Sequence, residues 1–225
     1  MRPLPWSPTG LDTFVNCPFQ YHGKYVTKEF KEDENNKSEE QKWGIWVHKQ
    51  FEDRLAVRAP LHDTLKAHEP FMQELENMPG VLNTEQKAAL DKNLRPCHFF
   101  DRGVWMRQVI DVTIVNGETA RMVDYKTGKP HKKFKQLMLN ALYTFILYPS
   151  VQTIQCDYYW TKDMVTTGES YQRDEIDKLW GYFVGDLKQY RDAFKTDTWQ
   201  MRPSGLCRGW CPRTDCQHWK PKRTY

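Results

Sequence analysis

The chain has 225 residues, 39% of them hydrophobic and 28% charged, with a formal net charge of +4. This is the composition of a folded globular protein long enough to bury a core without disulfides, and 11 Tyr, 11 Phe and 9 Trp exclude wholesale disorder. No apolar run approaches the roughly 18 residues of a membrane helix, the opening residues lack the apolar stretch of a secretory signal, and the mild basic excess permits a polyanionic partner without demanding one.

Ser7 followed by Pro8 predicts the N-cap and first position of a short helix that runs through Leu11, Phe14 and Val15 to about Cys17. Residues 28–40 carry six acids and one aromatic, the composition of an exposed connector. Residues 42–57 have the spacing of an amphipathic helix. Further helices are expected at 62–77 and 84–94, separated by the Pro79-Gly80 break. The pattern then changes. Residues 104–115 are apolar and β-branched, Asn116-Gly117 is a hairpin turn signal, and 119–126 is the partner strand, ended by Thr127-Gly128-Lys129-Pro130. Phe134, Leu137, Met138, Ala141, Leu142 and Phe145 form a core stripe on a helix expected at 131–148. A second hairpin is expected at 151–161 and 164–171, and a helix at 173–194 leads into a cysteine-rich tail. This order predicts one α/β domain over 1–225 with a mixed sheet flanked by helices: a mainly helical part (1–100), a sheet core (101–172), and a C-terminal helix with its tail (173–225).

Asp124 and Lys126 lie two apart on one strand and so project to the same face. The turn pairs the two strands and brings Asp111 toward Asp124. Two carboxylates at one point suit a hard divalent cation such as Mg²⁺ or Mn²⁺, and an adjacent lysine can hold an attacking water. Alone, an Asp and a Lys at a strand end are ordinarily a solvated ion pair.

The order of several motifs changes that balance. Asp124-Tyr125-Lys126-Thr127-Gly128-Lys129, preceded by a strand ending in Ile110-Asp111, resembles the PD-(D/E)XK nuclease superfamily. More closely it resembles the RecB-like branch, with its AddB-type helicase–nuclease domains and CRISPR-associated iron–sulfur exonucleases. Residues 6–18 resemble that branch's opening Ser-x-x-x-Leu…Cys-Pro helix, Gly44-x-x-x-His48 its histidine helix, and Gln136-Leu137 its glutamine helix. The resemblance implies a restriction-endonuclease-like fold. It makes Asp111, Asp124, His48 and the Tyr125 carbonyl metal ligands, and Lys126 the residue that activates water, assisted by Gln136. Glu52, one turn after His48, is placed to orient the imidazole, and Gly44 to leave room beside it. The branch has a tyrosine four residues after its glutamine; Asn140 stands there, and Tyr143 is the substitute on the same helical face. It often has a glycine three residues before its first aspartate, where this chain has Gln108. Lys129, Lys132, Lys133 and Lys135 crowd the start of a helix, where cations are disfavoured; a bound DNA phosphate would relieve the repulsion.

Six cysteines in a chain without an export signal point to a reducing compartment and hence a cytoplasmic location, not to disulfides. Cys207, Cys211 and Cys216, close together near the end, suggest a metal or cluster site. In the resembling branch one early and three late cysteines hold a [4Fe–4S] cluster that joins the two termini; here these would be Cys17, Cys207, Cys211 and Cys216. Zn²⁺ on the four cysteines, or on the three late ones with His218, is the rival. Cys97 and Cys156 read as packing residues.

The resemblance thus implies a metal-dependent DNA exonuclease acting on DNA ends, in recombination, repair or phage replication, with a CRISPR-adaptation nuclease as the alternative. No Walker-type loop is present, so a helicase or annealing partner would be a separate chain. No membrane is involved, and a homo-oligomer is compatible. Polarity, strand preference and RNA as a substrate stay open. The rival classes are a non-catalytic DNA-binding module and a cluster-stapled interaction protein.

Overall fold

The structure, a computed structural model, describes residues 3–29, 37–131 and 134–221. Most of the acidic connector (30–36) and two of the four candidate DNA-binding lysines, Lys132 and Lys133, lie outside the described residues. The chain divides into two units, one of Lys37–Gly181 and one of Met1–Asn36 with Tyr182–Tyr225.

The Lys37–Gly181 unit starts with α3 (Glu39–Val57), third in chain order after two short N-terminal helices. Ser38 caps it: its side chain accepts from Gln41 N at 3.3 Å while Gln41 Oε1 accepts from Ser38 N at 2.9 Å. The helix stops at Arg58, in the left-handed region at φ 57°. The expected helix at 62–77 is a 3₁₀ turn over Asp63–His68 that runs into α4 (Glu69–Asn77).

The sheet has five described strands in the order β1 (Val81–Asp91), β2 (Val104–Asn116), β3 (Thr119–Lys126), β4 (Thr153–Trp160) and β5 (Val165–Gln172). All neighbours are antiparallel except β3 and β4. That parallel pair needs a crossover, supplied by α5 (Lys135–Leu147). The helix expected at 84–94 is instead β1. Its Glu, Gln, Lys, Ala and Leu favour helix in isolation, but pairing with β2 from Val81↔Val115 to Asp91↔Val104 satisfies its backbone and buries Ala88, Ala89 and Leu90. Tertiary pairing overrides local propensity. The tight turn also shifts by one residue: Asn116 pairs with Thr119, so Gly117 and Glu118 form the loop, with Gly117 at φ 58°.

Alternation along β3 assigns its two faces. Val123 and Tyr125 join a core with Val47, Phe51 and Leu55 of α3 and Met72 and Leu75 of α4. Met122 points the other way and meets Asn140 of α5, whose inward residues Leu137, Ala141, Leu142 and Phe145 are all buried. Helices therefore cover both faces of the sheet, as expected of a mixed α/β architecture.

The other unit contains α1 (Pro8–Asn16), capped by Ser7, which accepts from Gly10 N at 3.1 Å. It continues with α2 (Pro18–Tyr21) and a π-helical turn, His22–Val26. Most of α6 (Ile176–Thr196) belongs to this unit. Tyr21 and Tyr190 share a 2.7 Å hydroxyl contact inside a cluster with Phe14, Phe194 and Trp199. Arg202 donates to the Val15 carbonyl at 2.6 Å, and Arg213 lies over the Phe19 ring at 3.6 Å, so early and late segments are fastened together. Among the described residues no helix is long and apolar enough to cross a membrane.

Gly168 of β5 tests the sheet. A Cβ there would lie 2.0 Å from the Cys156 carbonyl oxygen and 2.8 Å from Asp157 Cα, both of β4. Gly168→Ala is expected to cost about 3 kcal/mol, read as a lower urea midpoint at unchanged slope.

Candidate active site

The β2–β3 ladder ends at Val112↔Val123. The next residues along each strand are Asp111 and Asp124, where β3 leaves β2 while keeping its pairing with β4 as far as Lys126↔Trp160. On the β2 side the Tyr125 peptide has therefore lost its strand partner, and side chains replace it. Asp111 Oδ2 accepts from Tyr125 N at 2.7 Å, and His48 Nε2 donates to the Tyr125 carbonyl at 3.0 Å. His48 Nδ1 stands 3.4 Å from Asp111 Oδ2. Four of the expected site residues, His48, Asp111, Asp124 and Tyr125, thus converge on one strand fork.

Lys126 and Gln136 complete the arrangement. Lys126 Nζ is ion-paired with Asp124 Oδ2 and donates to Gln136 Oε1 at 2.9 Å. Gln136 Nε2 donates to Asp124 Oδ1 at 2.5 Å. Gln136 sits in the first turn of α5, so the crossover helix holds the ammonium and the carboxylate in one geometry. Lys126 also lies over the Tyr158 ring at 5.0 Å.

Other expected members are placed differently. The Tyr143 side chain is buried and its hydroxyl has no hydrogen-bond partner among the described residues, so it does not join the Lys126–Gln136–Asp124 network. Asn140, at the position where the resembling branch has tyrosine, donates to Met122 Sδ. Glu52 pairs with Lys49 at 2.9 Å and has no hydrogen bond to His48. A Cβ on Gly44 would meet Thr127 Oγ1 at 3.2 Å, so the glycine clears the loop after β3 and not the imidazole. Gln108 is buried in β2 and does not line the cavity at the site. Lys129 and Lys135 are exposed on either side of the undescribed pair.

One member was missed. Glu85 of β1 has a carboxylate oxygen within 4.8 Å of ligand atoms of both His48 and Asp111. The three share a cavity of about 370 Å³ with Gly44, Ile45, Lys49 and Glu52. Reading 81–91 as helix hid it; the strand register places it opposite Asp111, between Thr84↔Val112 and Gln86↔Ile110.

Crowded negative charge dominates the electrostatics. Burial, and next the Asp111 charge, push the Asp124 carboxyl up to about 6 despite Lys126 and His48. Burial and Asp111 likewise raise Glu85. Burial disfavours the His48 cation, but the hydrogen bond and charge of Asp111, with Asp124 and Glu85, outweigh it and raise the imidazole. The donor set of carboxylates, one carbonyl and one imidazole fits a hard or borderline divalent cation, whose charge would offset this repulsion.

The four candidate cluster cysteines, all free thiols, line one pocket with Phe19, Arg213, His218 and Trp219. Cys17 lies between α1 and α2, and Cys207 ends a 3₁₀ turn, Gly205–Cys207. No three of these cysteines and His218 bring ligand atoms within 4.8 Å of one another. Thiolates on a single zinc stand roughly 3.8 Å apart, from a Zn–S bond of about 2.3 Å, so this spacing departs from a closed zinc site.

Of the groups raised beside Asp111, Asp124 and His48 set a pH dependence of stability. Stability that depends on protonated Asp124 is present below about pH 4 and lost as pH rises through about 6. The His48 contribution has the same sign and is lost above its ordinary range of about 6.5. In EDTA, the thermal midpoint is expected to fall between about pH 4 and 6, and Asp124→Asn to flatten that slope, as measured by thermal melts across the range.

The sequence profile of the PD-(D/E)XK nuclease superfamily matches residues 5–216. No curated protein matches the chain significantly. Among solved structures, a candidate exonuclease from Eubacterium rectale is similar at 11% identity with a TM-score of 0.56, over 98% of this chain and 90% of that one. The protein SSO0001 is similar at 13% identity with a TM-score of 0.52, over 100% of this chain and 90% of that one. At these identities the likeness is one of fold, and it extends over the whole length. With a matching profile over nearly the entire sequence and two aspartates and a lysine converging at the strand fork, the chain belongs to the PD-(D/E)XK nuclease superfamily.

Proposed function

We propose that the protein is a divalent-metal-dependent exonuclease of the RecB-like branch that hydrolyses phosphodiester bonds from DNA ends. One observation carries the reading: Asp111 and Asp124 meet where β2 and β3 part, and Lys126 is fastened beside them by Gln136. The exonuclease description of the Eubacterium rectale structure supports action at ends.

Asp111, Asp124, His48 and the Tyr125 carbonyl would hold the cation, Mg²⁺ or Mn²⁺, with the imidazole favouring Mn²⁺. When bound, it neutralises charge on the scissile phosphate and acidifies water. The remaining work belongs to the chain. Lys126 holds the attacking water and stabilises its developing negative charge. Gln136, hydrogen-bonded to both the ammonium and the Asp124 carboxylate, holds the two in one geometry. A water oxygen forms the new bond to phosphorus, the bond to the bridging sugar oxygen breaks, and a proton goes to that leaving oxygen. Lys129, Lys132, Lys133 and Lys135 would contribute phosphate contacts.

The four-cysteine pocket would carry a structural [4Fe–4S] cluster. Four thiols from an early and a late segment line one pocket, and four thiolates are the ligand number of such a cluster. The proposed setting is intracellular DNA recombination, repair or phage replication, with any helicase or annealing partner on a separate chain.

Cleavage of end-labelled linear single- and double-stranded DNA tests the activity. Wild-type protein is expected to degrade the DNA with Mn²⁺ or Mg²⁺ and not with EDTA. Lys126→Ala should lose at least about 10²-fold in rate while keeping its fold by circular dichroism. Full activity in that variant, or none in folded, metal-replete wild type, would remove the reading. For the cluster, anaerobically purified wild type is expected to be brown with stoichiometric iron, and Cys211→Ser to lose the visible absorbance and melt lower. A colourless, zinc-containing wild type would replace the cluster with zinc.

A further inference from the structure

We propose that Glu85 is a metal-binding side chain of the nuclease centre, a third carboxylate supplied by β1 beside those of β2 and β3. The proposal rests on the nuclease reading above and adds a ligand to it.

Glu85 stands at φ 45° in the middle of an 11-residue strand. The register is the same on both sides of it, Thr84↔Val112 before and Gln86↔Ile110 after, so the left-handed residue is a local excursion and not a slip in pairing. A non-glycine residue in this region costs about 1–3 kcal/mol. Glycine would adopt it without that cost.

The excursion does not give Glu85 a partner within the protein. Among the described residues none forms a hydrogen bond or ion pair with its carboxylate. The half-buried group is instead held near Asp111, a group of the same sign, and near His48. Three costs therefore coincide at one residue: a strained backbone, partial burial of a charge, and proximity to a second carboxylate. A divalent cation bound by Glu85, His48 and Asp111 offsets the last two and supplies the reason for the first.

The donor chemistry agrees. Ligand atoms of the three side chains all lie within 4.8 Å of one another, and the side chains border the same cavity. Asp111 belongs both to this group and to the pair it forms with Asp124 across the strand fork. Glu85 thus extends the ligand set toward β1, on the cavity side, and raises its negative charge by one. A more anionic oxygen set binds a hard divalent cation more tightly.

The test is Mn²⁺ binding without DNA, followed by loss of the free-ion electron paramagnetic resonance signal. Wild type, Glu85→Gln, Glu85→Gly and Asp124→Asn are compared, with thermal melts in EDTA as the check on folding. Glu85→Gln is expected to weaken Mn²⁺ about tenfold or more, on the scale seen when groups around a metal are removed. Glu85→Gly should weaken it equally while melting higher in EDTA than wild type, because glycine relieves the strained backbone. Glu85→Gln and Glu85→Gly variants that bind Mn²⁺ as wild type does would overturn the proposal. If Asp124→Asn still weakens binding in that case, the nuclease reading stands without Glu85. If wild type itself binds no Mn²⁺, both fall together.

Discussion

The catalytic fork depends on a single peptide unit. Tyr125 sits where β3 leaves β2, and its N–H and C=O would be unsatisfied on that side of the sheet. A buried, unbonded backbone group costs as much as a lost hydrogen bond. Asp111 takes the N–H and His48 takes the C=O. The two side chains that repair the ladder are two of those expected to bind a cation. The Tyr125 ring, packed against Phe51 with centroids 4.9 Å apart, fixes the same residue from the opposite face. Fold and site therefore share their constraints: the sheet can part at this point because the functional groups stand in for the missing strand.

The fork also explains why charge accumulates there. A strand pair that opens leaves two facing side chains, Asp111 and Asp124, at its mouth, and β1 adds Glu85. Against these carboxylates stand Lys126, the imidazole of His48 and, at the cavity wall, Lys49. Lys126 cannot balance all of them, because Gln136 and Asp124 hold it on one side. The imbalance is what a cation requires of its site, and its cost is borne by the core built around Phe51, Val112, Val123 and Tyr159.

Sequence reasoning reached the parts of this arrangement that local chemistry specifies. β-branched runs on both sides of an Asn-Gly signal identify β2 and β3, and the hairpin alone brings Asp111 toward Asp124. His48 and Gln136 were legible only through motifs that resemble those of the RecB-like branch. β1 was not legible, because its helix-favouring residues become a strand only through β2, which lies beyond it in the chain. Glu85 was lost with it: no short-range pattern announces a carboxylate that matters through register. Tyr143 illustrates the opposite error. Helical periodicity put it on the face of Gln136, but proximity on a helical wheel does not carry a side chain two turns along the axis into the same network.

The cysteine pocket obeys a different logic. Its thiols come from segments nearly 200 residues apart, and Arg202 and Arg213 already hold those segments together by donating to the Val15 and Phe19 carbonyls. The pocket is thus shaped before any metal enters. Burial raises the Cys211 thiol, and the neighbouring Cys17, Cys207 and Cys216 raise it further. A metal or cluster would need the Cys211 thiol as a thiolate, so binding there would release a proton and strengthen with pH. The arginines and the thiols then act on the same two segments in different ways. The arginine contacts fasten the segments by themselves, and thiolate bonds to the proposed cluster would add to that.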